Sequence, residues 1–198
     1  MCSVEENDLV LDVGVTSDQT YESSNYLEAW LENKSRITAA GIDDASFLEM
    51  LYPGVRYIQA NGLDLPFTDR SFDVVHSSAV LEHVGSFENQ VKFISECARV
   101  AKRSFCITTP NRYFPIEFHT VLPLVHWLPK TWFRRLMQAA GQEFFASEEN
   151  LNLMSRGDIT HAANLALQNT PFSFEVRTVK LMGWSSNLIL YGVSDESR

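Results

Sequence analysis

The sequence predicts an α/β fold, a mostly parallel sheet with helices on both faces, and three observations point to it. Short apolar runs recur along the first half of the chain, each ends in an acid, an amide or a glycine, and helix-period segments separate them. Leu9 to Gly14 is nearly continuous in apolar residues, as a strand buried on both faces requires. Capping residues at Ser24 and Asn25 then precede Tyr26, Leu27, Trp30 and Leu31 at helical spacing. A second strand spans Arg36 to Ile42, and a short helix from Ser46 to Tyr52 stops at Pro53-Gly54. The third and fourth strands are Val55 to Ala60 and Phe72 to His76, with Pro66 keeping the stretch between them out of a helix. Phe87 to Lys102 reads as a helix with basic residues at its end, and Ser104 to Thr109 as the fifth strand, stopped by Pro110.

After Asn111 the pattern changes. Pro115, Pro123 and Pro129 punctuate an aromatic-rich run with helical pieces near Thr131 to Ala140, Glu148 to Met154 and Asp158 to Gln168. We read it as a helical insertion over the strand ends, followed by two strands, Phe172 to Leu181 and Asn187 to Val193, that add an antiparallel carboxyl-terminal edge. The expected organisation is one domain over 1–198: a core at 9–110, a cover at 111–170 and a strand pair at 171–198. Trp127, Trp132 and Phe133 read as core side chains.

Composition narrows the partners. A net charge of −9 argues against nucleic acid, and the basic group Lys130, Arg134 and Arg135 is too small to reverse that. Cys2, Cys97 and Cys106 form neither a disulfide framework nor a zinc motif, which suits reduced thiols in the cytoplasm. No apolar run is long enough for an integral membrane segment, although Phe114 to Leu128 could rest on an apolar surface or a partner. No His and acidic set has metal-ligand spacing.

The strand ends carry the chemistry. Asp12 with Gly14, then Asp43, then Asn61 with Gly62 close three successive strands, where open parallel sheets bind ligands. Asp43 at the end of the second strand can accept from ribose hydroxyls, and Asn61 can bond the exocyclic amine of adenine while Gly62 lets backbone approach the ring. A pyrophosphate cradle needs several glycines, whereas Gly14-Val15-Thr16-Ser17-Asp18 has one, so a nicotinamide dinucleotide is disfavoured.

The order of Leu65-Pro66-Phe67, Phe72-Asp73-Val74-Val75, Leu81-Glu82-His83-Val84 and Arg99-Val100 resembles the class I methyltransferases that use S-adenosylmethionine, over roughly Leu9 to Asn111. The resemblance implies a Rossmann-like seven-stranded sheet and S-adenosyl-L-methionine as cofactor. By it, Asp12 and Gly14 line the methionine side, Asp43 holds the ribose, Asn61 and Gly62 the adenine, and Ser77 faces the methionine end. The family's helix before the first strand is not found, which fits a minimal or an amino-terminally shortened form.

Two histidines are candidates for a general base, His83 after the fourth strand and His119 in the cover, since an imidazole can take a proton near neutral pH. Asn111, Arg112 and Glu117 would line the acceptor side, the rival reading being an Arg112–Glu117 pair that clamps the cover. Asp73, beside Phe72 in its strand, is read as a structural carboxylate bonded to a backbone amide. The expected activity is methyl transfer to a small-molecule or glycan-linked acceptor, by a monomer or homodimer. The alternative is a catalytically inactive methyltransferase-like domain that binds a ligand or partner.

Overall fold

The computed structural model describes residues 4–21, 24–116 and 124–195. Its elements are β1 (Val10–Val13), α1 (Tyr26–Trp30), β2 (Ile37–Gly41), α2 (Phe47–Leu51), β3 (Arg56–Gln59), β4 (Phe72–Ser78), α3 (Phe87–Val100), β5 (Ala101–Pro110), α4 (Lys130–Ala139), α5 (Glu143–Ala146), α6 (Arg156–Leu167), β6 (Phe172–Leu181) and β7 (Trp184–Ser194). Seven strands form one sheet in the order β3-β2-β1-β4-β5-β7-β6. The strands β1 to β5 are parallel, and β7 runs antiparallel to both β5 and β6. Within the antiparallel carboxyl-terminal edge, β7 is therefore the inner strand and β6 the outer one.

Burial follows from this layering. All four residues of β1 are buried, as its central place demands. One face of the sheet meets α3 and α6 through a core that includes Leu11, Val75, Phe93, Ile94, Phe105, Ile107, Ile159 and Leu188. On the other side a smaller cluster packs Val15, Ile37 and Ala39 against Leu48 of α2. The helix α3 starts at Ser86, whose side chain accepts from Asn89 N, and α6 starts in a full capping box between Ser155 and Asp158.

Two expectations need correcting. Glu148 to Met154 is not a helix, because its backbone bonds elsewhere: Asn152 N donates to Glu82 O, and Met154 bridges to Asn111. A short helix, α5, lies before it instead. Phe133 is buried, but Trp127 and Trp132 are 39% and 65% exposed, so they are not core residues. Asp73 behaves as read, accepting from Leu9 N at 2.9 Å.

Arg99 at the end of α3 does more than complement the helix dipole. Its guanidinium donates to Phe67 O and Leu65 O at 2.8 and 3.1 Å, and to the carboxylates of Glu96 and Asp69 at 2.8 Å. It thereby fixes the Leu65-Pro66-Phe67 turn that delivers the chain to β4. A lysine has no planar fork to bridge four acceptors. Arg99→Lys should therefore lose about 1–3 kcal/mol of stability, read from urea denaturation midpoints, with the same slope as the parent.

Candidate active site

The strand order reverses between β1 and β4, which is where open α/β sheets leave a crevice at the strand carboxyl ends. A cavity of ≈ 380 Å³ lies there, lined by Gly14, Asp43, Asn61, Gly62 and His83 together with Val80 and Phe93. Its volume suits a small organic ligand. A larger cavity, ≈ 590 Å³, lies between α1 and α2 and is lined by Tyr21, Trp30 and Tyr52 among others. None of the strand-end residues borders it, so the chemistry argues for the smaller one.

Each wall has a steric cause. Gly14 has φ +98°, and a Cβ there would come within 2.1 Å of Val80. The loop after β1 thus touches the turn after β4, and no larger residue fits. Gly62 makes room for packing, since a Cβ would lie 2.5 Å from Phe93 and 3.3 Å from Val13. The glycine thus sets the cleft floor. Asn61 Oδ1 accepts from Leu63 N at 2.9 Å, closing a tight turn and leaving a lone pair and the amide hydrogens for other partners. Asp43 is exposed at the rim, its backbone carbonyl bonded by Tyr57 Oη.

The glycine-poor loop is ordered by a device the sequence did not reveal. Asn25 accepts from Thr16 N and donates to Thr16 O, both at 3.0 Å, so one side chain pins the loop at both backbone groups of Thr16.

Asp12 and Ser77 do not line the cavity. Asp12 lies in register with His76 on the neighbouring strand and accepts from His76 Nδ1 at 2.7 Å. Tyr26 Oη in turn meets His76 Nε2 at 2.7 Å. A carboxylate bonded at Nδ1 leaves Nε2 to accept from the phenol. Consistently, burial foremost holds Tyr26 above its ordinary range. Ser77 is fully buried, and its Oγ has no hydrogen-bond partner among the described residues. It shares the face of Val75, toward the core.

His83 lines the cavity, and its Nδ1 lies 2.6 Å from Asn150 O. A carbonyl can only accept, so Nδ1 carries a hydrogen, and Nε2 lies 3.9 Å from Glu82 Oε1. Asn152, two residues on, is 2% exposed and joins the cover to this turn: its amide donates to Gly85 O, its N–H to Glu82 O, and Gln90 donates to its carbonyl. Asn111 is occupied at the edge of β7, donating to Ser185 O, and Arg112 donates to Leu128 O at 3.0 Å. His119 and Glu117 lie outside the described residues, so the Arg112–Glu117 clamp and the His119 base have no structural account. No cluster of potential metal ligands and no helix long and apolar enough to cross a membrane occur among the described residues.

Beside Asp12 is a group that reasoning from sequence missed. Glu28 of α1 is fully buried, and its carboxyl has no hydrogen-bond partner among the described residues. Burial first, then the charge of Asp12, pushes it from an ordinary 4.5 up to about 9. The folded chain thus holds a proton there that the unfolded chain has released above pH 4.5, so this group's contribution to stability falls as pH rises from 4.5 toward 9. Glu28→Gln, which keeps the neutral shape, should stabilise the protein by about 3 kcal/mol at pH 7 and by little at pH 4. Urea titrations at the two pH values give the comparison.

Residues 12–104 match the family model described as a methyltransferase domain. A probable S-adenosylmethionine-dependent methyltransferase of Mycobacterium tuberculosis is 44% identical over 63 residues, 31% of this chain and 22% of that protein. One from Mycolicibacterium smegmatis is 36% identical over 81 residues, 39% of this chain and 30% of its own length. The matched part is thus under a third of either relative. Among solved structures, an S-adenosylmethionine-dependent methyltransferase from Mesorhizobium loti shares the fold with TM-score 0.64 at 12% identity, over 94% of this chain and 90% of the other. The 1,6-didemethyltoxoflavin-N1-methyltransferase of Burkholderia thailandensis, solved with S-adenosylhomocysteine, does so with TM-score 0.58 at 12% identity, over 94% and 71%.

Proposed function

We propose that this chain, whose residues 12–104 match the methyltransferase domain model, transfers a methyl group from S-adenosylmethionine to a small-molecule or glycan-linked acceptor. One observation carries the reading: Gly14, Asp43, Asn61, Gly62 and His83, drawn from four strand ends, meet around a single cavity at the switch point. The residues fit the cofactor. Asp43 at the rim accepts from the ribose hydroxyls, Asn61 bonds the adenine edge, and the backbone at Gly14 leaves space beside the methionine portion. When bound, the cofactor supplies an electrophilic methyl group on a cationic sulfur. The protein's part is to hold the acceptor atom in line and to keep water out.

His83 is the base this geometry favours for an acceptor that must lose a proton. Its Nδ1 hydrogen is committed to Asn150 O, so Nε2 is the nitrogen able to receive one. Asp12 acts at a remove, holding His76 and through it Tyr26. The net charge of −9 argues against RNA or DNA as acceptor.

Calorimetric titration with S-adenosylhomocysteine tests the cofactor reading. Binding is expected, weakened about ten- to a hundredfold by Asp43→Ala, as the loss of a charged hydrogen bond implies; no heat at millimolar ligand would refute it. His83→Ala should leave that binding intact while lowering methylation of extract acceptors, followed by mass spectrometry. Binding in the parent without any methylated product would favour the non-catalytic alternative.

A further inference from the structure

Three cations gather where the cover begins, and two of them have no carboxylate partner among the described residues. Arg112, Lys130 and Arg134 border a cavity of ≈ 20 Å³ beside Asn152. Arg134 pairs with Glu148 at 3.0 Å, Arg112 meets backbone carbonyls and the face of the Tyr113 ring, and Lys130 meets the neutral Asn152 Oδ1 at 2.6 Å, with Glu148 acting on it at longer range. Among the described residues no carboxylate lies within ion-pair distance of either. Lys130 also stands in the first turn of α4, the positive end of the helix dipole, where acids are favoured. That turn contains no acid, and its cap, Pro129, has no side chain to accept from the free N–H groups. Asp158 acts on Lys130 only at longer range and is held in its own capping box.

From these juxtaposed charges we infer that Arg112, Lys130, Arg134 and the amino end of α4 form a binding site for a phosphate ester. An anion there would relieve the repulsion between the cations and satisfy the helix end at the same time. Asn152 links the site to the turn carrying His83, so a phosphate held at Lys130 belongs to a molecule whose remainder can reach toward the cleft. As an account of the acceptor, this assignment rests on the methyl-transfer reading; as a binding site it does not. The phosphate could belong to a soluble ester or to a lipid headgroup. Leu128, Trp132 and Leu136 are exposed alongside, and Trp132 and Leu136 share a helix face by their spacing of four.

The test uses the whole chain without cofactor. Inorganic phosphate, titrated by calorimetry at constant ionic strength, should bind, with affinity reduced at least about tenfold by Lys130→Gln and unaffected by Lys92→Gln on α3. Since Arg112 also holds the cover, Arg112→Gln is read only if its thermal melt matches the parent. Sedimentation with phosphatidylcholine vesicles, with and without phosphatidic acid, separates the sources: capture by the acidic vesicles, lost in Lys130→Gln and in Trp132→Ser, assigns a lipid headgroup. Phosphate binding without vesicle capture assigns a soluble ester. No phosphate binding, or binding untouched by Lys130→Gln, would overturn the site. Titrating the same proteins with S-adenosylhomocysteine keeps the two readings apart, because Lys130→Gln should bind it as the parent does.

Discussion

The arrangement of the cleft depends on one buried polar seam. Glu82, Gln90 and Asn152 are each at most 2% exposed, and each is hydrogen-bonded: Glu82 accepts from Thr109, Gln90 donates to Leu81 O and Asn152 O, and Asn152 reaches Gly85 O. Polar groups this deep are tolerable only when they are partnered, so the seam has essentially one geometry. It joins the turn after β4 and the helix α3 that follows it to the strand-like part of the cover, 62 residues beyond Gln90. Because partial pairing would strand a desolvated amide, the seam acts as a register mark that positions His83 opposite the loop after β1.

The opposite wall is fixed by sterics. Gly14 and Val80 touch across the switch point, and Gly62 admits Phe93 beneath the floor. One wall is therefore set by hydrogen bonds and the other by the lack of side chains. The cleft keeps its width without any ligand, provided both kinds of constraint hold. Glu28, like Ser77, departs from this economy: its buried carboxyl beside Asp12 has no hydrogen-bond partner among the described residues and is kept neutral by its surroundings.

The first half of the fold was legible because its signals are local. Apolar runs stop at Asp12, Asp43 and Asn61, and each stop marked a strand end within a residue or two. The residues lining the cleft followed, since topology alone carries strand ends to one crevice. What stayed hidden needed register or tertiary context. That Asp12 faces His76 depends on which residues of β1 and β4 lie abreast, and a shift of one would point them to opposite faces. Glu148 to Met154 has a helical composition but spends its backbone on the seam, so tertiary bonding overrode propensity there. Trp127 and Trp132 looked like core because aromatic residues usually are; their exposure is a property of where α4 sits, which no local pattern encodes.

The bond from His83 Nδ1 to Asn150 O has a further implication. Asn150 belongs to the cover and His83 to the core, so the choice of which imidazole nitrogen bears the hydrogen is made by a segment 67 residues away in sequence. Were the cover to lift, that carbonyl would leave and the two tautomers would compete on nearly equal terms. The tautomer presented at the cleft is thus a property of how the cover packs on the core rather than of the fourth strand end that carries the ring.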